Sequence, residues 1–117
     1  MTIRRVVSPD AVPGAFKRPG HVFPLCARPG GVLERRGHTE TAVDLARLAG
    51  LPPVAAICEV LDEAGDPARC PYLTRFAAEH RIAMVSVDQV VQHRVAPDST
   101  ATKGSTATLL LSVGSPI

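Results

Sequence analysis

The stretch TETAVDLARLAGLPPVAAICEVL, residues 39–61, decides the fold because its hydrophobic pattern changes partway along. In the first part, apolar residues recur at spacings of three and four, which is typical of an amphipathic helix. They are Ala42, Val43, Leu45, Ala46, Leu48 and Ala49. Thr39 is a suitable N-cap, and Gly50 followed by Pro52-Pro53 predicts the end of the helix.

The second part of the stretch is a near-continuous apolar run, residues 54–61, bounded by prolines and by turn residues. Such a run predicts a buried strand. Further elements are expected on both sides of it: an edge strand over residues 22–27, a helix over 72–80, a strand over 82–87 and a short helix from 88 to 94 capped by Asp88. Strands alternating with helices predict an α/β fold, a layered mixed sheet with flanking helices.

At 117 residues the chain is expected to be one small domain or part of a larger one. We place the α/β domain at residues 1–94. Residues 96–108 are rich in Ser, Thr, Ala and Gly and offer little to pack, so residues 95–117 are predicted to be a disordered tail.

Charge and cysteine usage exclude several classes of protein. The net charge is only +2 and both signs are interspersed, so no basic surface for nucleic acid or an anionic membrane is expected. The three cysteines form no CxxC pair, which argues against a zinc knuckle and a thioredoxin motif and fits a reducing compartment. There is no signal-peptide pattern, and Leu109–Leu111 is too short to span a bilayer, so we expect a cytoplasmic protein.

Functional side chains cluster directly before the predicted helix, in the segment Arg35-Arg36-Gly37-His38-Thr39-Glu40. A helix N-terminus favours anions, and the Arg35 guanidinium and Thr39 hydroxyl there would suit a phosphate. The His38 imidazole could bind a divalent metal if oxygen ligands come from elsewhere. The alternative is a solvated loop that has no ligand.

Two further residues suit proton transfer. Glu59 lies inside the predicted buried strand, where desolvation would raise the pKa of its carboxyl group. His21 follows Gly20 in a turn and could act as the partner acid or base. The alternatives are that Glu59 pairs with an arginine and that His21 is a structural or surface histidine.

Three segments of the chain closely resemble the 3,4-dihydroxy-2-butanone 4-phosphate synthase family: residues 18–25 (RPGHVFPL), 31–45 and 57–60 (ICEV). The resemblance covers about residues 2–94, with the three motifs in order and at the family's spacing. It implies a magnesium-dependent homodimeric lyase of riboflavin biosynthesis. Such an enzyme converts ribulose 5-phosphate into 3,4-dihydroxy-2-butanone 4-phosphate and formate through enolisation, rearrangement and loss of one carbon.

The resemblance also implies roles for particular residues. His38 matches a magnesium ligand, and manganese is an alternative metal. The segment Arg35, Arg36, Gly37, His38 and Thr39 matches the part that holds the substrate and its phosphate. His21 and Glu59 match two positions essential for catalysis, and Glu59 also contacts the substrate.

This sequence departs from the family in one large respect. The family's N-terminal half carries an acidic motif, Asp-Asp-Glu-Asp-Arg-Glu-Asn-Glu-Gly-Asp, that supplies a second metal ligand. Here Asp10 is the only acidic residue before Glu34, so the resemblance is to the C-terminal half. It implies either a lyase that needs a complementing N-terminal half or a non-catalytic remnant that binds sugar phosphates or serves as an interaction module.

Overall fold

The computed structural model describes residues 2–96 and 109–112. Its helices are α1 (Thr2–Val7), α2 (His38–Leu48), α3 (Cys70–His80) and α4 (Val87–Val95), and single 3-10 turns cover Pro13–Ala15 and Gly31–Leu33. Strands β1 (Ala83–Ser86) and β2 (Leu109–Ser112) pair in parallel, with Ala83 opposite Leu109. None of the helices in these ranges combines the length and apolar character needed to cross a membrane.

Helix α2 confirms the helix predicted after the Arg35–Glu40 segment, although it begins earlier. Its N-cap is Gly37, so the prediction of Thr39 as the cap is wrong. The reason is that the Gly37 carbonyl accepts hydrogen bonds from the Thr41 backbone N–H at 2.9 Å and from the Thr41 hydroxyl at 2.8 Å. At the other end, Gly50 adopts a φ of 69° just after the helix, as its position predicts.

The helix predicted after β1 is also confirmed, but Ser86 caps α4 in place of Asp88. The Ser86 hydroxyl accepts from the Gln89 N–H at 3.2 Å, and the Gln89 side chain accepts from the Ser86 N–H at 2.8 Å. This reciprocal pair is a capping box. Asp88 therefore lies in the first turn of the helix, where its exposed carboxylate pairs with Arg36 at 3.2 Å.

The two strands predicted upstream of α3 are absent. Residues 22–27 and 54–61 have no regular secondary structure and form no ladder, apart from an isolated bridge between Leu61 and Pro67. Phe23 is 84% exposed, and Ile57 and Cys58 are exposed as well. A strand needs a neighbour that pairs with its backbone and covers its side chains, and no such neighbour exists among the described residues. The predicted layered sheet is thus reduced to β1 and β2 in this part of the chain.

The predicted disordered tail, residues 95–117, is described only in part. Val95 and Ala96 end helix α4 and its cap, and Leu109–Ser112 form β2. Residues 97–108 and 113–117 lie outside the described residues.

Helix α2 buries its polar face. Glu40, Thr41 and Asp44 are completely buried, whereas the apolar Leu45 and Leu48 are only half-buried. Glu40 and Thr41 precede Asp44 by four and three residues, about one helical turn, so the three side chains share one face. That face contacts the Gly31–Leu33 turn and helix α4.

The Asp44 carboxylate joins three parts of the chain. It accepts a hydrogen bond from the Val32 N–H at 2.8 Å in the 3-10 turn. It also forms ion pairs with Arg94 of α4 at 2.7 Å and with Arg47 of its own helix at 3.2 Å. Paired charge and a backbone donor are what make a buried carboxylate tolerable, so this network holds α2, α4 and the turn together.

Gly31 leaves the space that the Asp44 carboxylate occupies. Its φ is 62°, in the left-handed region that favours glycine. A Cβ at this position would overlap both carboxylate oxygens of Asp44. Both the turn and the buried ion pair of Asp44 therefore require a glycine at position 31.

We expect Asp44→Asn to lower the free energy of unfolding by roughly 3 kcal/mol, because it removes the charge that pairs with Arg94 and Arg47. Urea unfolding followed by circular dichroism measures the change. Asp88→Asn is the matched control: Asp88 pairs with Arg36 at 3.2 Å on the exposed surface, and such pairs contribute about 0–1 kcal/mol. Equal losses in the two variants would contradict the role assigned to Asp44.

Gly31→Ala should destabilise the chain by more than the roughly 1–2 kcal/mol that a left-handed backbone costs an ordinary residue. The excess comes from displacing the Asp44 carboxylate. Gly65→Ala provides the comparison, since Gly65 has a φ of 85° and nothing within 4 Å of a Cβ. If both substitutions shift the urea midpoint by the same amount, the contact between Gly31 and Asp44 carries no stability.

Candidate functional site

The segment Arg35–Thr39 lies at the N-terminus of α2, as the sequence predicts. The first backbone N–H bonded within the helix belongs to Thr41, so the N–H groups of residues 38–40 precede the helical ladder. Their partial positive charge is directed toward the side from which the Arg35–Thr39 segment enters the helix. This end of α2 therefore has the backbone features of an anion site.

The two arginines of the segment have different partners. Arg36 donates a hydrogen bond from Nη1 to Asp88 Oδ1 of α4 at 3.2 Å. Arg35 lies with Nη1 3.7 Å from Glu40 Oε1, and its side chain is 64% exposed. The two side chains are exposed to a similar extent, 64% for Arg35 and 68% for Arg36, so they differ in their partners: Arg36 is hydrogen-bonded to a neighbouring helix, and Arg35 forms a longer ion pair within its own segment.

Glu40 is a residue of this region that sequence reasoning did not select. Its side chain is completely buried, and Oε1 accepts a hydrogen bond from the Arg28 N–H at 3.1 Å. Its other oxygen, Oε2, has no hydrogen-bond partner among the described residues. The available signal was the spacing of Glu40 and Asp44, two carboxylates one helical turn apart, with Thr41 on the same face.

His38, the predicted metal ligand, is the first residue of α2 and is exposed. Within residues 2–96, no group of three or more His, Cys, Asp or Glu side chains could hold a metal ion. Magnesium requires octahedral coordination, mainly by oxygen atoms, and one imidazole does not provide it. The described residues therefore do not form a magnesium site by themselves.

His21 and Glu59 lie on segments without regular secondary structure, and both are exposed. The burial expected for Glu59 is thus absent, because the predicted strand around it does not form. Exposed apolar side chains flank both residues: Val22, Phe23 and Leu25 beside His21, and Ile57 and Leu61 beside Glu59. The catalytic roles of His21 and Glu59 stay predictions.

Two surface cavities of the described chain lie elsewhere. One, of about 460 Å³, is lined by Leu45, Leu48, Ala49, Val85, Gln89, Val90 and His93. The other, of about 270 Å³, is lined by Asp62, Glu63, Ala64, Tyr72 and Arg75. No predicted site residue lines either of these two cavities.

The family model of 3,4-dihydroxy-2-butanone 4-phosphate synthase matches residues 1–93. The 3,4-dihydroxy-2-butanone 4-phosphate synthase of Pelobacter propionicus is 50% identical over 100 residues, which cover 86% of this chain and 43% of that protein. The riboflavin biosynthesis protein RibBA of Aquifex aeolicus is 50% identical over 109 residues, or 93% of this chain and 27% of that protein.

Solved structures agree with the sequence comparison. A crystal structure of 3,4-dihydroxy-2-butanone 4-phosphate synthase of Candida albicans superposes with a TM-score of 0.76 at 38% identity, covering 80% of this chain and 48% of that one. RibBX, a two-domain 3,4-dihydroxy-2-butanone 4-phosphate synthase from A. baumannii, superposes with a TM-score of 0.79 at 44% identity. The match covers 85% of this chain and 30% of that one. This chain thus spans less than half the length of each of these relatives. From the family match and these identities, the chain belongs to the 3,4-dihydroxy-2-butanone 4-phosphate synthase family.

Proposed function

We propose that this chain forms the C-terminal half of a 3,4-dihydroxy-2-butanone 4-phosphate synthase site. Completed by an acidic N-terminal half, it would convert ribulose 5-phosphate into 3,4-dihydroxy-2-butanone 4-phosphate and formate. The observation that carries the proposal is the family match over residues 1–93, which includes the Arg35–Thr39 segment at the N-terminus of α2.

The substrate phosphate would bind at the N-terminus of α2. The largely exposed side chain of Arg35, the Thr39 hydroxyl and the N–H groups of His38 and Thr39 offer hydrogen-bond donors with positive charge, whereas Glu40 is fully buried. Arg36 is a weaker candidate for this role than Arg35, since its Nη1 already donates to Asp88. The phosphate would thereby fix one end of the sugar relative to helix α2.

Proton transfer would fall to His21 and Glu59. Enolisation removes a proton from a carbon next to the substrate's ketone, and a carboxylate oxygen or a neutral imidazole nitrogen can accept it. Both side chains are exposed in this chain. Effective proton transfer requires that they be covered and held against the substrate, which the described residues do not do.

The missing half would supply that cover. Exposed apolar side chains flank His21 and Glu59, and an exposed apolar surface in a soluble protein generally marks an interface. We assign this surface to the acidic N-terminal half of the synthase, on the same polypeptide or on a second one. The assembled enzyme would be a cytoplasmic homodimer.

Magnesium, or manganese, would bind only in the assembled site. His38 would contribute one ligand, and the acidic half would contribute the oxygen ligands that these metals prefer. Since the described residues do not form the metal site, we assign no reaction step to the ion.

Mixing this chain with a polypeptide that carries the acidic N-terminal half of a relative should release formate from ribulose 5-phosphate in the presence of magnesium. Chelation of the metal should stop the reaction. His38→Ala and Glu59→Gln should each lower turnover at least about a hundredfold, the usual effect of removing a proton-transfer group or a metal's protein contacts. Formate is measured with a coupled dehydrogenase.

Glu63→Gln is the matched control for Glu59→Gln. Glu63 is exposed and four residues further along, and we give it no part in the reaction. Turnover should be unchanged in this variant. The proposal is rejected if the mixture, with both polypeptides folded and associated, forms no formate.

A second candidate function is a non-catalytic module that binds sugar phosphates. It is favoured by the contrast between the anion features at α2 and the lack of a three-ligand metal group in the described residues. This module would bind through Arg35 and Thr39 without turning substrate over.

The chain alone should bind inorganic phosphate weakly, and Arg35→Ala should weaken that binding about tenfold or more, since a hydrogen bond to a charged group contributes about 1.5–3 kcal/mol. Titration calorimetry measures both affinities. Arg36→Ala should have a smaller effect because Arg36 is engaged with Asp88. Phosphate binding without formate release from the completed mixture would select this second function.

A further inference from the structure

We propose that Glu40 is a positioning residue that holds the Arg35 guanidinium over the N-terminus of α2. The proposal rests on the function proposed for Arg35, and it concerns a residue to which neither the sequence motifs nor the comparisons give a role. The fully buried carboxylate of Glu40, on the first turn of α2, anchors the exposed Arg35 that receives the phosphate.

The Glu40 carboxylate is held in a fixed position. Glu40 is the third residue of α2, and its side chain has no exposed surface. The Arg28 N–H donates to Oε1 at 3.1 Å, which ties the carboxylate to a loop twelve residues earlier. An acceptor held by helix and loop together is a rigid anchor for a neighbouring cation.

One oxygen of the Glu40 carboxylate lacks a hydrogen-bond partner among the described residues. This oxygen, Oε2, is buried. A buried carboxylate in this state strongly favours a nearby positive charge. Arg35 places a positive charge beside the same carboxylate, with Nη1 3.7 Å from the other oxygen, Oε1, while Oε2 remains without a partner among the described residues.

Gly37 lies between Arg35 and Glu40, and a side chain at this position would contact both. A Cβ at Gly37 would lie 2.6 Å from Glu40 Oε2 and 3.7 Å from Arg35 Nε. The backbone of Gly37 is extended, with a φ of −123°, so backbone strain does not require glycine there. What the missing side chain provides is room for the Glu40 carboxylate in its buried position, and the 3.7 Å to Arg35 Nε is an ordinary van der Waals distance that places Arg35 beside it.

The geometry leaves Arg35 with donors to spare. Arg35 Nη1 lies 3.7 Å from Glu40 Oε1, and 64% of the Arg35 side chain remains exposed. An arginine has five N–H donors, so one side can hold the carboxylate while the other binds phosphate. Anchoring lowers the side-chain entropy that phosphate binding would otherwise cost.

The test compares Glu40→Gln with Glu34→Gln. Both remove one negative charge from the same region. The amide introduced by Glu40→Gln is isosteric with the native carboxylate, so its oxygen can still accept from the Arg28 N–H. Glu34 accepts from the Gly30 N–H at 2.9 Å and is exposed, so it controls for the change in charge. We expect phosphate to bind roughly three- to fivefold more weakly to Glu40→Gln than to Glu34→Gln.

If Glu40 acts through Arg35, the effect of Glu40→Gln on phosphate affinity depends on the presence of Arg35. In an Arg35→Ala background, Glu40→Gln should cause no further loss of phosphate affinity, as a double-mutant cycle requires of residues that act as a unit. The Nε–H NMR signal of Arg35 should also become more mobile in Glu40→Gln without phosphate, while the backbone amide spectrum is retained. A purely structural role for Glu40 would change the amide spectrum and leave no coupling to Arg35.

Several results would overturn the proposal. They are an unchanged Arg35 signal in Glu40→Gln, an equal loss of affinity with and without Arg35, and tighter phosphate binding to Glu40→Gln than to Glu34→Gln. Tighter phosphate binding to Glu40→Gln would mean that Glu40 competes with phosphate for Arg35. If Glu40→Gln does not fold, the unsubstituted chain decides: an Arg35 Nε–H as mobile as that of the exposed Arg5 refutes anchoring, and a more restrained one supports it.

These outcomes separate the proposal from the function on which it rests. If the unsubstituted chain binds no phosphate, the anion site at α2 fails. The Arg35 Nε–H signal, measured without any ligand, still shows whether Glu40 restrains Arg35.

Discussion

The buried carboxylate of Asp44 is the interaction on which the rest of the structure depends. It accepts from the Val32 N–H and pairs with Arg94 and Arg47, so one side chain connects the 3-10 turn, α2 and α4. A carboxylate this deeply buried is stable only while those partners remain. The same network sets the direction in which α2 begins, and with it the place of the candidate phosphate site.

The two ends of the proposed active site therefore differ in how complete they are. The phosphate end is built within the chain, because α2 is anchored by Asp44 and the segment before it is held by bonds to the turn and to α4. The proton-transfer end is not, because His21 and Glu59 lie on segments without regular secondary structure, beside exposed apolar side chains. A site divided in this way suits a chain that spans less than half of its synthase relatives.

Sequence patterns predicted the elements whose signals are local. Helices α2 and α4, the helix over residues 70–80 and strand β1 all lie where periodicity and turn residues place them. The patterns failed for residues 22–27 and 54–61, since an apolar run becomes a strand only when a neighbour pairs with it. The apolar periodicity of α2 did not indicate which face is covered: Leu45 and Leu48 are half-buried and line a surface cavity, whereas Glu40, Thr41 and Asp44 are fully buried.

By itself, the sequence determined the family, the position of the α2 helix and the residues that gather at its N-terminus, because motifs and helical periodicity are properties of neighbouring residues. Only the tertiary structure decided that Arg36 pairs with Asp88 and that Arg35 lies against a buried Glu40. It also decided that Asp44 is internal and Glu59 external. Burial depends on which distant segments pack against a face, and a local pattern contains no information about which segments those are.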